Sequence, residues 1–195
     1  MSYRVGIMGV RGCAGEELFR LLLNHPDVEV CCVQDRVEKP QKLSEFLPAF
    51  AKRTELVCKD CAPEEMGEAC DAVFLALPHT VSMTVASAIL AKKKKLIDLS
   101  ADFRLKDLPV YERTYKTKHL HPELLQEAVY GLPELFREKI RKGTLIANPG
   151  CYPTAVMLGA APFLLKKKPS GGVFFCRCEK RGDRCRAGRQ CTTHI

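Results

Sequence analysis

The chain has 195 residues, a formal net charge of +8 and eleven cysteines. That length allows one full core with a start on a second, and no apolar run approaches the ~20 residues of a membrane-spanning helix. The basic clusters (Lys92 to Lys95, Lys166 to Lys168, and six Lys/Arg against two acids from Pro169 onward) lack interleaved aromatics, which argues against a nucleic-acid surface.

Met1-Ser2-Tyr3-Arg4 leads straight into a strand pattern without the apolar stretch of a secretory signal, so the expected compartment is the cytoplasm. Tyr3 to Met8 reads as a buried strand. Gly9-Val10-Arg11-Gly12-Cys13-Ala14-Gly15 follows, and Glu16 to Leu23 is helix-like. Strand, glycine loop and helix open a dinucleotide-binding unit, in which glycines let the backbone approach a pyrophosphate. The spacing is G-x-x-G-x-x-G rather than G-x-G-x-x-G. Val28 to Val33 is the second strand, closed by Gln34-Asp35-Arg36 about 20 residues beyond the last glycine. An acid there can hold a ribose 2′-hydroxyl and an arginine a 2′-phosphate, so Asp35 and Arg36 leave NAD and NADP both open.

Lys39 to Lys42 is a predicted loop, and Leu43 to Phe50 holds a short helical turn. Cys58-Lys59-Asp60-Cys61 has half of a zinc spacing with no second pair near it, so no metal is expected. Asp71 to Leu77 reads as a buried strand stopped by Pro78-His79-Thr80. Ser82 to Ala91 is the next helix and Lys95 to Leu99 the next strand, left by Ser100-Ala101-Asp102-Phe103-Arg104. Strands alternating with helices predict an α/β fold with a doubly wound, parallel, Rossmann-like sheet over residues 1–150. Ligands of such sheets bind at the carboxyl ends of the strands. The glycine loop, Leu77-Pro78-His79, Ser100 to Arg104 and Cys151 all fall at that edge. Arg104 is a candidate oxyanion or phosphate clamp.

Thr144 to Ala147 is strand-like, and Asn148-Pro149-Gly150-Cys151-Tyr152-Pro153-Thr154 joins it to a helix-like run. Pro153 suits the first turn of a helix. Cys151 is therefore placed just before a helix N-terminus, where free N–H groups and the helix dipole favour a thiolate. That chemistry marks Cys151 as a nucleophile.

Five segments together resemble N-acetyl-gamma-glutamyl-phosphate reductase of arginine biosynthesis, in order and spacing, from residue 3 to about 165. They are Gly9-x-x-Gly12-x-x-Gly15-x-Glu17-Leu18, Leu75 to His79, Ser100 to Leu105, Tyr130 to Leu135 and Asn148 to Thr154. The resemblance implies an NADPH-dependent reduction of an acyl phosphate to an aldehyde through a Cys151 thioester. It implies that Gly9, Gly12, Cys13, Ala14, Gly15, Arg36, Pro78, His79 and Asn148 line the cofactor. Ser100 and Arg104 would face the small-molecule acyl phosphate. Asp35 and Glu38 depart from the small hydroxyl side chains that the family usually offers near the 2′-phosphate. The resemblance further implies a homo-oligomer, with neither nucleic acid nor membrane as partner.

Members of that family run well beyond this length, so only the first helix of a second, catalytic α+β domain is expected, over residues 151–168, with turnover near zero. Residues 169–195 leave the pattern. Cys176-x-Cys178-x6-Cys185-x5-Cys191 fits no standard zinc spacing. Permitted codons for Cys176 to Arg186, read one nucleotide later, spell Ala-Asp-Ala-Lys-Ser-Gly-Val-Thr-Gly-Ala-Gly, the kind of segment the family carries next. The lysines at 166–168 imply an adenine-rich tract, so the tail is expected to be out of frame.

Overall fold

A computed structural model describes residues 2–165. The chain begins with β1 (Tyr3–Met8), α1 (Cys13–Leu22) and β2 (Val28–Gln34), followed by β3 (Gln41–Lys42) and α2 (Leu43–Phe46). A 3-10 turn (Pro48–Phe50) leads to β4 (Val57–Lys59), α3 (Pro63–Ala69), β5 (Ala72–Leu75) and α4 (Ser82–Ala91). Then come β6 (Lys95–Asp98), α5 (Leu108–Tyr115), α6 (Pro122–Glu127), β7 (Val129–Tyr130), α7 (Pro133–Lys142) and β8 (Leu145–Ala147). A last helix, α8 (Cys151–Leu165), completes the described chain.

The eight strands form one sheet in the order β3-β4-β2-β1-β5-β6-β8-β7. Every neighbouring pair is parallel except β3 with β4. The doubly wound expectation therefore holds for the body of the sheet. Gln41 and Lys42, expected in a loop, instead pair antiparallel with Cys58 and Val57 and close one margin.

The two faces of the sheet bury different clusters, as the two-residue period of a strand requires. On β1, Ile7 joins Val10, Phe19, Val33 and Phe50, whereas its neighbour Met8 joins Met66, Val73, Leu75, Ile89 and Leu96. Phe19 meets Phe50 edge to face, with centroids 4.9 Å apart. Where polar groups replace apolar packing, they close helix ends. Asp107 accepts the Val110 N–H at the start of α5. The Lys95 ammonium, 2.9 to 3.3 Å from the carbonyls of Ile140, Arg141 and Gly143, caps the end of α7.

The chain divides into two compact units between Gly150 and Cys151. Cys151 is the first residue of α8 rather than the residue before it, and Pro153 is the third, where its missing N–H costs nothing. None of the α8 residues is buried, and Phe163, Leu164 and Leu165 are among the most exposed large apolar side chains described. The expected out-of-frame tail lies outside the described residues. No described helix is long and apolar enough to cross a membrane.

Candidate active site

The end of β1 turns sharply at Gly9, whose φ of +84° suits glycine and where a Cβ would lie 2.5 Å from the Ala76 carbonyl oxygen. The Gly9 N–H donates to the Gln34 carbonyl (2.9 Å) and the Gly12 N–H to the Gly9 carbonyl (3.3 Å). Gly12 is the N-cap of α1 and supplies no side chain to it. The first-turn N–H groups, from Cys13 onward, thus sit at an uncapped, positive helix end. A diphosphate fits such a cradle. Gly15 plays a different part. It lies inside α1 and is buried, and a Cβ on it would collide with the Gly9 carbonyl oxygen. It permits close packing and does not line the cleft.

A cleft of about 630 Å³ opens over this loop, a size within the roughly 300–1,000 Å³ of ligand sites. Gly9, Gly12, Cys13 and Ala14 form its floor. Asp35, Arg36, Asp60 and Cys61 border it from the β2 and β4 ends, and Leu77, Pro78, Val81 and Thr84 from β5 and α4. Asp35 pins the loop to the strand: one carboxylate oxygen accepts the Arg11 N–H (2.9 Å) and the other the Arg36 N–H (2.8 Å). Arg11, which sequence reasoning passed over, stacks its guanidinium 5.1 Å from the Phe46 ring centre and reaches the Arg36 carbonyl at 3.5 Å. Its position inside a glycine loop was the available signal.

The remaining expected residues fall elsewhere. His79 is exposed beside Tyr115, centroids 5.9 Å apart, and is not among the cleft residues. Asn148 donates its main-chain N–H to the Asp98 carbonyl (2.8 Å) and its amide to the Pro149 carbonyl (3.3 Å). Ser100 is buried, its hydroxyl donating to the Asp98 carboxylate (2.7 Å) and accepting the Asp102 N–H (3.1 Å). Arg104 donates to the carbonyls of Asn148 and Leu99, both at 2.7 Å. Arg104 thus braces the carboxyl ends of β6 and β8 against each other, while Ser100 ties the end of β6 to Asp102. Cys151 is exposed at the start of α8.

Among the described residues, Cys31, Cys32, Cys58 and Cys70 pack into the core clusters. Cys31 Sγ lies 3.5 Å from Cys70 Sγ, and Cys32 Sγ lies 3.0 Å from Met66 Sδ. Burial, with the thiol of Cys61 next in effect, pushes the Cys32 thiol up to about 12, and burial pushes that of Cys58 up to about 11. Among the described residues, no group of three or more His, Cys, Asp or Glu could hold a metal ion.

A mostly parallel sheet, a glycine turn under an uncapped helix end and a cleft at the strand termini define a nicotinamide-dinucleotide-binding domain of the doubly wound class. Residues 4–143 match the family described as semialdehyde dehydrogenase, NAD binding domain, and the chain belongs to that family.

It is 49% identical over 164 residues to the N-acetyl-gamma-glutamyl-phosphate reductase of Symbiobacterium thermophilum, covering 84% of this chain and 47% of that one. It is 44% identical over 193 residues to the enzyme of the same name from Thiobacillus denitrificans, covering 98% and 55%, so that match runs into the tail. The chain spans about half the length of these curated relatives. The fold is shared with aspartate semialdehyde dehydrogenase with NADP from Candida albicans, at a TM-score of 0.63 and 16% identity, over 86% of this chain and 48% of that one. It is shared too with aspartate semialdehyde dehydrogenase II from Vibrio cholerae, at 0.60 and 16%, over 85% and 43%.

Proposed function

We propose that the chain carries the cofactor cleft and the nucleophile of an NADPH-dependent reductase that converts N-acetyl-glutamyl 5-phosphate to N-acetyl-glutamate 5-semialdehyde and phosphate. The observation that carries the reaction is the 49% identity to a reductase of that name. Cys151 attacks the acyl carbon as a thiolate and expels phosphate, leaving a thioester. A dinucleotide held on the first turn of α1 would supply the hydride that reduces the thioester to the aldehyde and frees the Cys151 thiolate. The chain's own share is to hold the diphosphate on the first turn of α1 and to fix the ligand's ends. A thiolate is both a good nucleophile and a good leaving group, so the reaction splits into two easier steps.

The choice of NADPH rests on the β2 end. Both Asp35 oxygens already accept main-chain N–H groups, and Arg36 borders the cleft beside them. A guanidinium favours a 2′-phosphate over a hydroxyl. Arg36→Ala should weaken NADPH about tenfold and leave NADH unchanged, as read by quenching of cofactor fluorescence. Equal losses for both cofactors would remove the assignment. NADPH oxidation with the acyl phosphate tests the reaction, and Cys151→Ser should abolish whatever turnover the chain shows.

For the tail, we propose a one-base slip at the lysines of 166–168, because the match at 49% identity spans 164 residues, while the match over 193 residues counts for a tail in frame. The gene sequence decides it: early stops in the plus-one frame would dismiss the slip.

A further inference from the structure

Asp102 uses every polar atom it has, and none was singled out by the sequence. Its side chain is fully buried. One carboxylate oxygen accepts the Thr80 N–H (2.7 Å) and the Tyr111 O–H (3.1 Å), and the other accepts the Met83 N–H (3.0 Å). Its own N–H donates to Ser100 Oγ, and its carbonyl lies 2.9 Å from His119 Nε2. A carbonyl only accepts, so His119 carries its proton on Nε2. Its Nδ1 accepts the His121 N–H at 3.1 Å.

Part of this is helix capping. Val81, the N-cap of α4, supplies no side chain, and Asp102 takes its place at Met83. Capping does not explain Thr80. That residue precedes α4 and sits at φ +71°, a left-handed conformation that is costly for a β-branched side chain. Such strain persists only where surrounding contacts enforce it. Here the contact is the 2.7 Å bond to Asp102, and the strained residue lies between Pro78 and Val81, which both line the cleft.

The sheet order says which part of a ligand these two meet. β2 and β5 flank β1 on opposite sides. A dinucleotide with its 2′-phosphate at Arg36, after β2, and its diphosphate on α1 must carry its other half toward Pro78, after β5. We propose that Asp102 is a positioning residue for the cofactor: it holds Thr80 in the left-handed conformation and so sets the Pro78–Val81 wall against the nicotinamide half. This rests on the cofactor reading above.

The test compares two ligands on the full chain. NADPH spans the whole cleft, whereas 2′,5′-ADP reaches only the α1 cradle and the β2 side. Asp102→Asn keeps the size but aims an NH2 at an N–H donor. It should weaken NADPH about tenfold while leaving 2′,5′-ADP unchanged. The body of α4 stays in place because Ala86 and Ile89 anchor it in the core.

Equal weakening of both ligands would mark Asp102 as merely structural and overturn the proposal, as would no weakening of either. If Asp102→Asn does not fold, Tyr111→Phe removes one of the three donors and keeps both amide bonds. It should cost NADPH about threefold with 2′,5′-ADP unchanged, and the same two outcomes would overturn it. Wild-type protein that binds neither ligand sinks the cofactor reading and this proposal together. Wild-type protein that binds both, with variants that match it, sinks the Asp102 assignment alone.

Discussion

Among single residues, exposure and burial divide the sulfur chemistry. Cys13 and Cys151 are exposed, whereas Cys58 and Cys70 are buried and Cys32 is half-buried. Desolvation raises the thiols of Cys32, Cys58 and Cys70, so few of them ionise near neutral pH. Among the described cysteines, iodoacetamide at pH 8 should therefore label Cys13 and Cys151 first. Labelling at Cys32, Cys58 and Cys70 should wait for unfolding, as read by mass spectrometry of the digested chain.

Asp98 gives a pH signature. Burial raises its carboxyl, against the lowering effect of its bonds from Ser100. A folded-state pKa above the unfolded one means the native state holds the proton more tightly. Stability from this group therefore falls as pH rises through the window just above the ordinary carboxylate range. Asp98→Asn should flatten that stretch of the stability profile measured by urea unfolding across pH.

At the scale of elements, the close approach of α1 to the glycine turn depends on Gly15 having no side chain. Gly15→Ala forces backbone apart and should cost about 1–3 kcal/mol, seen as a lower urea midpoint. It should also weaken diphosphate binding, because the helix end moves with it. The same scale shows what a sequence discloses. β1 and α4 fall on the residues expected, Tyr3–Met8 and Ser82–Ala91, because each is a mostly apolar segment bounded by turn residues. β3, β4 and β7 have two or three residues each. Pairing defines them, and periodicity cannot show itself over so short a span.

The site divides in the same way. The glycine cradle is local and was legible; Gly9, Gly12, Cys13, Ala14, Arg36 and Pro78 all border the cleft. Ser100 and Arg104 have the right chemistry for a ligand, but Ser100 bonds the neighbouring Asp98 carboxylate and Arg104 the distant Asn148 carbonyl. Asp102 was illegible for that reason too: its meaning comes from Thr80, Met83 and Tyr111, all brought to it by the fold.

For the molecule as a whole, a bound cofactor should raise the unfolding temperature of the first unit. Ligand at a hundred times its Kd adds about 2.7 kcal/mol to the native state. A thermal scan with and without NADPH measures it. The exposed apolar side chains of α8 favour self-association at high concentration. What form that association takes follows from the margins of the sheet. Both outermost strands, β3 and β7, are only two residues long. They offer too little unpaired backbone to template an incoming strand, and amyloid spines need about six residues. Clumped protein should therefore be amorphous, dark with thioflavin, unable to seed fresh solution, and recoverable by dilution.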